Sequence, residues 1–109
     1  MIEFSQLKKE AGDIGLEIVR IDTDDYFEAV IVKNKLTELI QRLEKIFGAP
    51  RWPSEKNLSR QIIGVIQKFG GIRDGQILYF GQTETCFIFA MLWPWMDGAH
   101  VTLKIGSAL

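Results

Sequence analysis

The sequence predicts an α+β fold built on a five-stranded antiparallel sheet, and two observations lead to it. Segments 35–47 and 54–69 place apolar residues every three or four positions, which is the spacing of an amphipathic helix. Five other segments combine β-branched and aromatic residues with intervening turns rich in Gly, Asp and Thr, which is typical of antiparallel strands. The predicted element order is α-β-β-α-α-β-β-β, in a single α+β domain over residues 1–109.

The first predicted elements are a short helix and a hairpin. Ser5 is a suitable N-cap for a helix over residues 5–13. The acidic turn DTDD then joins two strands, Leu16–Ile21 and Tyr26–Val32. We expect Ile21 to lie opposite Tyr26, which places Ile18 on the core face of the hairpin.

Two long helices follow, and each carries one continuous apolar stripe. The first covers 35–47, after the N-cap Asn34, and ends at Gly48. The second runs from the N-cap Ser54 to about Phe69 and ends at the glycine pair 70–71. Because both stripes need an apolar partner, we expect both helices to pack on the same face of the sheet.

The last part of the chain is predicted to be a three-stranded meander, Gln76–Phe80, Thr85–Trp93 and His100–Ile105. The turn GQTE joins the first two strands and places Leu78 opposite Phe87. Asp97-Gly98 predicts a type I′ turn, which pairs Trp93 with Thr102. The sheet is then expected to have the strand order 2-1-5-4-3.

The middle strand of this meander carries the most unusual feature of the sequence. The run Cys86–Met96 holds eleven residues and no charge. The predicted pairing places its aromatic residues on one face, opposite an apolar face that the helices would cover. The candidate binding surface is this aromatic face with its polar neighbours: Phe80, Phe87, Phe89, Met91, Trp93, Trp95, His100, Thr102 and Lys104.

Such a surface is too apolar to stay in water. Even half-exposed, its large side chains would form a patch of roughly 500 Å², as large as the largest patch on a typical monomer. Three covers are open: the N-terminal helix with Phe4 and Leu7, a second copy of the chain, or a ligand or other partner. The leading interpretation is a small non-enzymatic interaction module that acts as a homodimer or binds another protein. The alternative is a site in which Trp93, Trp95 and Tyr26 enclose a planar or apolar molecule.

Catalysis is the third interpretation. Cys86 and His100 are the only residues of their kinds, and the predicted pairing places them on opposite faces of the sheet. An enzyme would need a carboxylate such as Asp97 or Glu84 beside His100 in a concave pocket. The sequence therefore predicts no catalytic residue.

The sequence also predicts no metal site and no cofactor. A calcium loop that began at Asp22 would need Gly and Glu where the chain has Phe27 and Lys33. The stretch GGIRDG lacks the Lys-Ser/Thr of a phosphate loop. A single cysteine and a single histidine do not make a zinc site.

Charge is nearly balanced, at −1 overall, but residues 51–73 hold five basic side chains and one acidic one. That stretch could attract an anion, or it could be an ordinary solvated helix face. A nucleic-acid binder would show a stronger basic bias.

The chain starts without a secretory signal, its apolar run is too short to span a bilayer, and it has one cysteine, so we expect a cytoplasmic protein with no membrane partner.

Overall fold

The chain folds around a single antiparallel sheet with helices on both faces. The computed structural model describes residues 2–55 and 57–109. Within these residues, the helices are α1 (Phe4–Ile14), α2 (Leu36–Phe47) and α3 (Arg60–Gln67), and the strands are β1 (Ile18–Asp22), β2 (Tyr26–Val32), β3 (Ile77–Gln82), β4 (Phe87–Pro94) and β5 (His100–Ala108). The α+β class and the five-stranded antiparallel sheet are confirmed.

The predicted strand order is wrong at one end of the sheet. The observed order is β1-β2-β5-β4-β3, so β2 rather than β1 lies beside β5. The reason is that β2 is apolar on both faces, with Ala29 and Val30 both fully buried. All five residues of β1 are exposed, and two of them, Arg20 and Asp22, are charged. A strand with charges suits a sheet edge, and an apolar strand suits the interior.

One face of the sheet is covered by α1 and α2. Leu7, Ala11 and Ile14 of α1 and Leu39 and Leu43 of α2 are buried against it. The sheet contributes the apolar residues expected on this face: Phe27, Ala29, Ile31, Tyr79, Ile88, Ala90, Leu92, Val101, Leu103 and Ile105. The N-terminal helix, expected to be short, has 11 residues against 12 in α2, and it packs beside α2.

The other face is covered by α3, which corrects the expectation that both long helices share one face. Ile62 and Ile66 of α3 are buried with Leu78, Phe89 and Met91 in a second apolar cluster. The chain reaches this face by passing the β3 edge, where Arg51 N donates to Leu78 O at 2.7 Å and Leu78 N donates to Trp52 O at 3.2 Å. The expected helix boundary is also wrong: Ser59, not Ser54, caps α3 by accepting a hydrogen bond from Ile62 N.

The predicted register between β4 and β5 is confirmed, although the turn type is wrong. Trp93 lies opposite Thr102 and Met91 opposite Lys104. The type I′ turn needs a positive φ at Asp97 as well as Gly98, but only Gly98 has one, at 70°. The loop instead spans four residues, 96–99. It is closed by a hydrogen bond of 2.9 Å that Trp95 N donates to His100 O. Because the two-residue and four-residue loops are both centred on the Asp97–Gly98 peptide bond, the register of the two strands is the same for either loop.

The other two predicted registers are wrong. Leu78 lies opposite Met91 rather than Phe87, because β3 continues through Gly81 and Gln82 and turns later. A shift of four residues keeps every side chain on its predicted face. In the first hairpin Ile21 lies opposite Glu28, and a bulge interrupts β1 between Val19 and Ile21. This bulge leaves Ile18 exposed instead of placing it in the core.

Candidate functional site

Four of the nine residues of the predicted binding surface are buried inside the protein. Phe89 and Met91 are fully inaccessible, Phe80 is 7% exposed and Thr102 is 6% exposed. Their cover is none of the three that the sequence suggested, because α3 and the segments around it supply it. The large apolar area on this face therefore built a second core rather than a surface.

The other five residues of the predicted surface are partly exposed. Phe87, Trp93, Trp95, His100 and Lys104 are all half-buried. Phe87 packs on Phe80, with 5.6 Å between ring centroids, at the far end of the sheet. The remaining four lie on β4, β5 and the loop between them.

Lys104 and Trp93 connect the sheet to the end of α3. Lys104 Nζ lies 3.3 Å from the centroid of a Trp93 ring and donates a hydrogen bond of 2.8 Å to Phe69 O. Burial lowers the pKa of Lys104, and the negative charge of Glu28 partly opposes that shift. Trp93 Nε1 is buried, and within the described residues it has no hydrogen-bond partner. The main role of Trp93 and Lys104 in the structure is therefore to pack the segment after α3 onto the sheet.

Trp95 is held in place by three neighbours. Its Nε1 donates a hydrogen bond of 2.8 Å to Thr102 Oγ1. Its ring packs on His100 with 4.9 Å between centroids, and the Arg20 guanidinium lies 5.4 Å from the ring centroid. The indole is therefore half-exposed and held in one orientation.

Glu28 links the polar side chains next to this tryptophan. Tyr26 Oη donates to Glu28 Oε1 at 2.7 Å, and Arg20 lies 3.8 Å from Glu28 Oε2. Burial, followed by the hydrogen bond to Glu28, raises the pKa of the Tyr26 phenol well above its ordinary value. Tyr26 is also stacked on Phe69, which lies 4.9 Å away between centroids, so it is a packed side chain rather than a free ligand contact.

Two exposed apolar side chains of β1 lie on the same sheet face as Trp95. Ile18 is 52% exposed and Ile21 is 40% exposed, whereas Val19 lies opposite Ala29 on the face that α1 and α2 cover. Ile18 lies opposite Val30, and Val30 lies opposite Thr102, the residue that holds Trp95. We call this area, formed by Ile18, Arg20, Ile21, Trp95 and His100, the open corner. Sequence reasoning missed the β1 part of it because it assigned Ile18 to the core; the charges at Arg20 and Asp22 were the available signal of an edge strand.

The two edge strands of the sheet differ in whether their outer backbone groups are paired. At the β3 edge, Arg51 and Trp52 hydrogen-bond to one residue of the strand, Leu78. Within the described residues, β1 pairs on one side only, with β2. The open corner therefore adjoins a strand whose outer backbone groups are free to pair.

His100 does have a carboxylate beside it, as the enzyme interpretation required. His100 Nδ1 lies 2.7 Å from Asp97 Oδ2. Asp97 Oδ1 also accepts the backbone N–H groups of Ala99 and His100, and the Ala99 bond, followed by His100, lowers the pKa of Asp97. The carboxylate is therefore part of the loop structure, and it lies on an exposed hairpin end. Glu84 is in the turn at the opposite end of β4.

Cys86 lies far from His100, near the start of β4. Its Sγ is 3.3 Å from Thr83 Oγ1, and the hydroxyls of Ser107 and Thr83 lower the pKa of the thiol. It packs beside the cluster under α1 and α2, as its predicted face required. The two residues are thus at opposite ends and on opposite faces of the β4–β5 pair.

A pocket that sequence reasoning did not find lies beside α3. Its volume is about 300 Å³, and it is lined by Trp52, Leu58, Ile63, Ile66, Gln67, Gly71 and Ile72. A tryptophan in the loop after α2 was the signal that could have indicated it. Trp93, Trp95 and Tyr26, the three residues proposed to enclose a ligand, are not in this lining.

Over the ranges 2–55 and 57–109, the structure holds no group of three or more His, Cys, Asp or Glu side chains placed to bind a metal. The same part of the chain has no helix of the length and apolar character needed to cross a bilayer.

Comparison of the chain with protein-family models, with curated proteins and with solved structures finds no match.

Proposed function

We propose that this protein is a small non-enzymatic interaction module that forms a homodimer through β1 and the open corner. One observation carries the proposal: two exposed apolar side chains, Ile18 and Ile21, lie on a strand with a free edge, on the same sheet face as a fixed Trp95. An exposed apolar edge strand pairs readily with another strand. Burying it would continue the sheet from one copy into the next.

The residue types of the open corner match those that dominate binding energies at interfaces. Trp and Arg are enriched among residues whose loss costs an interface most, and here the Arg20 guanidinium lies over the Trp95 ring, 5.4 Å from its centroid. Because Thr102 already fixes the indole, little side-chain entropy would be lost on association. Trp93 and Lys104 would support this surface from the α3 side.

The charges of this area favour a second copy as the partner. Arg20 lies within 3.8 Å of Glu28, and Asp97 is paired with His100, so both signs are present within one patch. In a two-fold interface each copy presents the same patch, and a patch with both signs can be complementary to itself. A patch of one sign would instead repel its copy.

The test is the solution mass as a function of concentration, by sedimentation or light scattering. We expect the wild type to approach twice the chain mass, and Ile18→Glu to remain a monomer because it buries an unpaired charge in the interface. Ile63→Glu is the matched control, since Ile63 is 46% exposed and lies on α3, away from β1. Its dimerisation should equal that of the wild type.

Two results would oppose the proposal. A wild-type chain that stays monomeric at every concentration would exclude the homodimer, and another protein would then be the candidate partner for the same surface. Equal loss of dimer in Ile18→Glu and Ile63→Glu would place the interface elsewhere. Circular dichroism of both variants checks that they are folded.

With one cysteine and therefore no internal disulfide, the chain suits a reducing compartment, and we propose that it acts in the cytoplasm.

A further inference from the structure

The pocket beside α3 has a construction suited to a small apolar molecule. Its volume of about 300 Å³ is at the lower end of the range found for small-molecule sites. Isoleucine and leucine side chains form most of its wall, with the Trp52 indole on one side and Gln67 as the polar side chain of the lining. Such a wall favours the burial of an alkyl chain or an aromatic ring.

The walls of this pocket are fixed by hydrogen bonds. Trp52 Nε1 donates to Arg73 O at 3.1 Å, and the Trp52 backbone is bonded to Leu78 of β3. Ile66, on the helix side, is 2% exposed and belongs to the second core. Since the Trp52 N–H is already used, the indole offers a ligand its apolar face.

Two arginines lie close to the pocket in the structure. Arg60 precedes Ile63 and Gln67 on α3 by three and seven residues, so it lies on the same side of the helix as these two lining residues. Arg73 adjoins Trp52 through the bond just described. Among the described residues, Arg60 and Arg73 have no ion-pair partner, whereas Arg51 is paired with Glu55. A pocket with an apolar wall and two arginines among the neighbouring residues suits an apolar body with one negative charge.

We propose that this pocket binds a small amphipathic monocarboxylate, with the alkyl or aromatic body between Trp52 and the α3 isoleucines and the carboxylate near Arg60 and Arg73. The basic stretch 51–73 then has a function beyond solvation. The site lies on α3 and the loop segments around it, apart from the open corner, so it does not depend on the proposed dimer.

The experiment follows isoleucine methyl signals by NMR while octanoate, or 1-octanol as its uncharged equivalent, is added to the full chain. We expect saturable shifts at Ile63, Ile66 and Ile72 with both probes, and tighter binding of octanoate. Signals of Ile18 and Ile21 should not move. The double variant Arg60→Gln with Arg73→Gln should weaken octanoate binding about fivefold or more and leave 1-octanol within about twofold, since it removes charge but little apolar wall.

Ile63→Glu should abolish octanoate binding, because it places a carboxylate at the wall of the pocket, while Ile18→Glu should bind like the wild type. These two variants thus have opposite outcomes in the ligand and dimer experiments, and either hypothesis can fail alone. No saturable shift with either probe, or shifts centred on Ile2 and Ile88 on the other face of the sheet instead, would overturn the site. Equal affinities for the two probes, both unaffected by loss of the arginines, would overturn the carboxylate.

Discussion

At the scale of single residues, two glycines allow the effect of backbone conformation on stability to be measured. Gly98 has φ of 70°, and a side chain there would meet no atom within 4 Å, so its constraint is in the backbone rather than in packing. Gly64, inside α3, also has open space around it, but its φ is not positive. The two positions therefore separate the cost of an unusual backbone from the cost of flexibility.

We predict opposite effects of the same substitution at these two glycines. Gly98→Ala should lower the free energy of unfolding by about 1–2 kcal/mol, because an L residue resists the left-handed region. Gly64→Ala should raise it by about 0.5–1 kcal/mol, because alanine restricts the unfolded chain and favours the helix. Urea melts of both variants provide the measurement. A stabilising Gly98→Ala would mean that the β4–β5 loop has another conformation.

Gly81 shows why a residue type can mislead when it is taken from sequence alone. It was predicted to begin the turn between β3 and β4, since glycine is common in turns. In the structure it lies within β3, where a Cβ would collide with Ile2 and come within about 3.5 Å of the Phe47 ring. Glycine here leaves room for the end of the Ile2 side chain against the strand, and the sequence pattern does not separate that role from a turn.

At the scale of elements, the sequence identified the helices and strands but not the layer of each. The stripe of α3 shows that one side of the helix is buried, yet it carries no information on which sheet face receives it. The decisive feature was the aromatic face: Phe89 and Met91 needed a cover, and the segment after α2 could reach them around the β3 edge. The two faces were assigned correctly for the meander because a register error of four residues leaves the alternation intact.

Two adjacent isoleucines of α3 test whether this helix is part of the core. Ile62 is 6% exposed and faces the aromatic sheet face, while Ile63 is 46% exposed. We expect Ile62→Ala to cost about 2–5 kcal/mol by leaving a cavity, and Ile63→Ala to cost less than about 1 kcal/mol. Denaturant melts at equal protein concentration measure both. If Ile62→Ala costs as little as Ile63→Ala, α3 is not packed on the sheet as described.

At the scale of the whole molecule, the two sides of the sheet are built differently. The α1 and α2 side is a regular helical layer, whereas the α3 side combines a helix of eight residues with loops that carry Trp52, Phe69 and Ile72. This second layer stops short of β1, and the area that it leaves is the open corner. The long aromatic run therefore serves mainly to hold a small irregular layer, with Trp95 at its uncovered margin.

Hydrogen exchange can test the whole arrangement in one measurement. Strands β2, β4 and β5 have a neighbour on both sides, and Arg51 and Trp52 pair with Leu78 at the outer edge of β3, whereas among the described strands β1 has a neighbour on one side and no pairing at its outer edge. If copies associate through β1, its amides should exchange about tenfold more slowly when roughly nine-tenths of the chain is dimeric, because exchange then occurs through the residual monomer. Amides of β3 should show no dependence on protein concentration. Protection that rises in β3 or α3 while β1 stays unchanged would move the interface to the other side of the sheet, and the open corner would lose its proposed role.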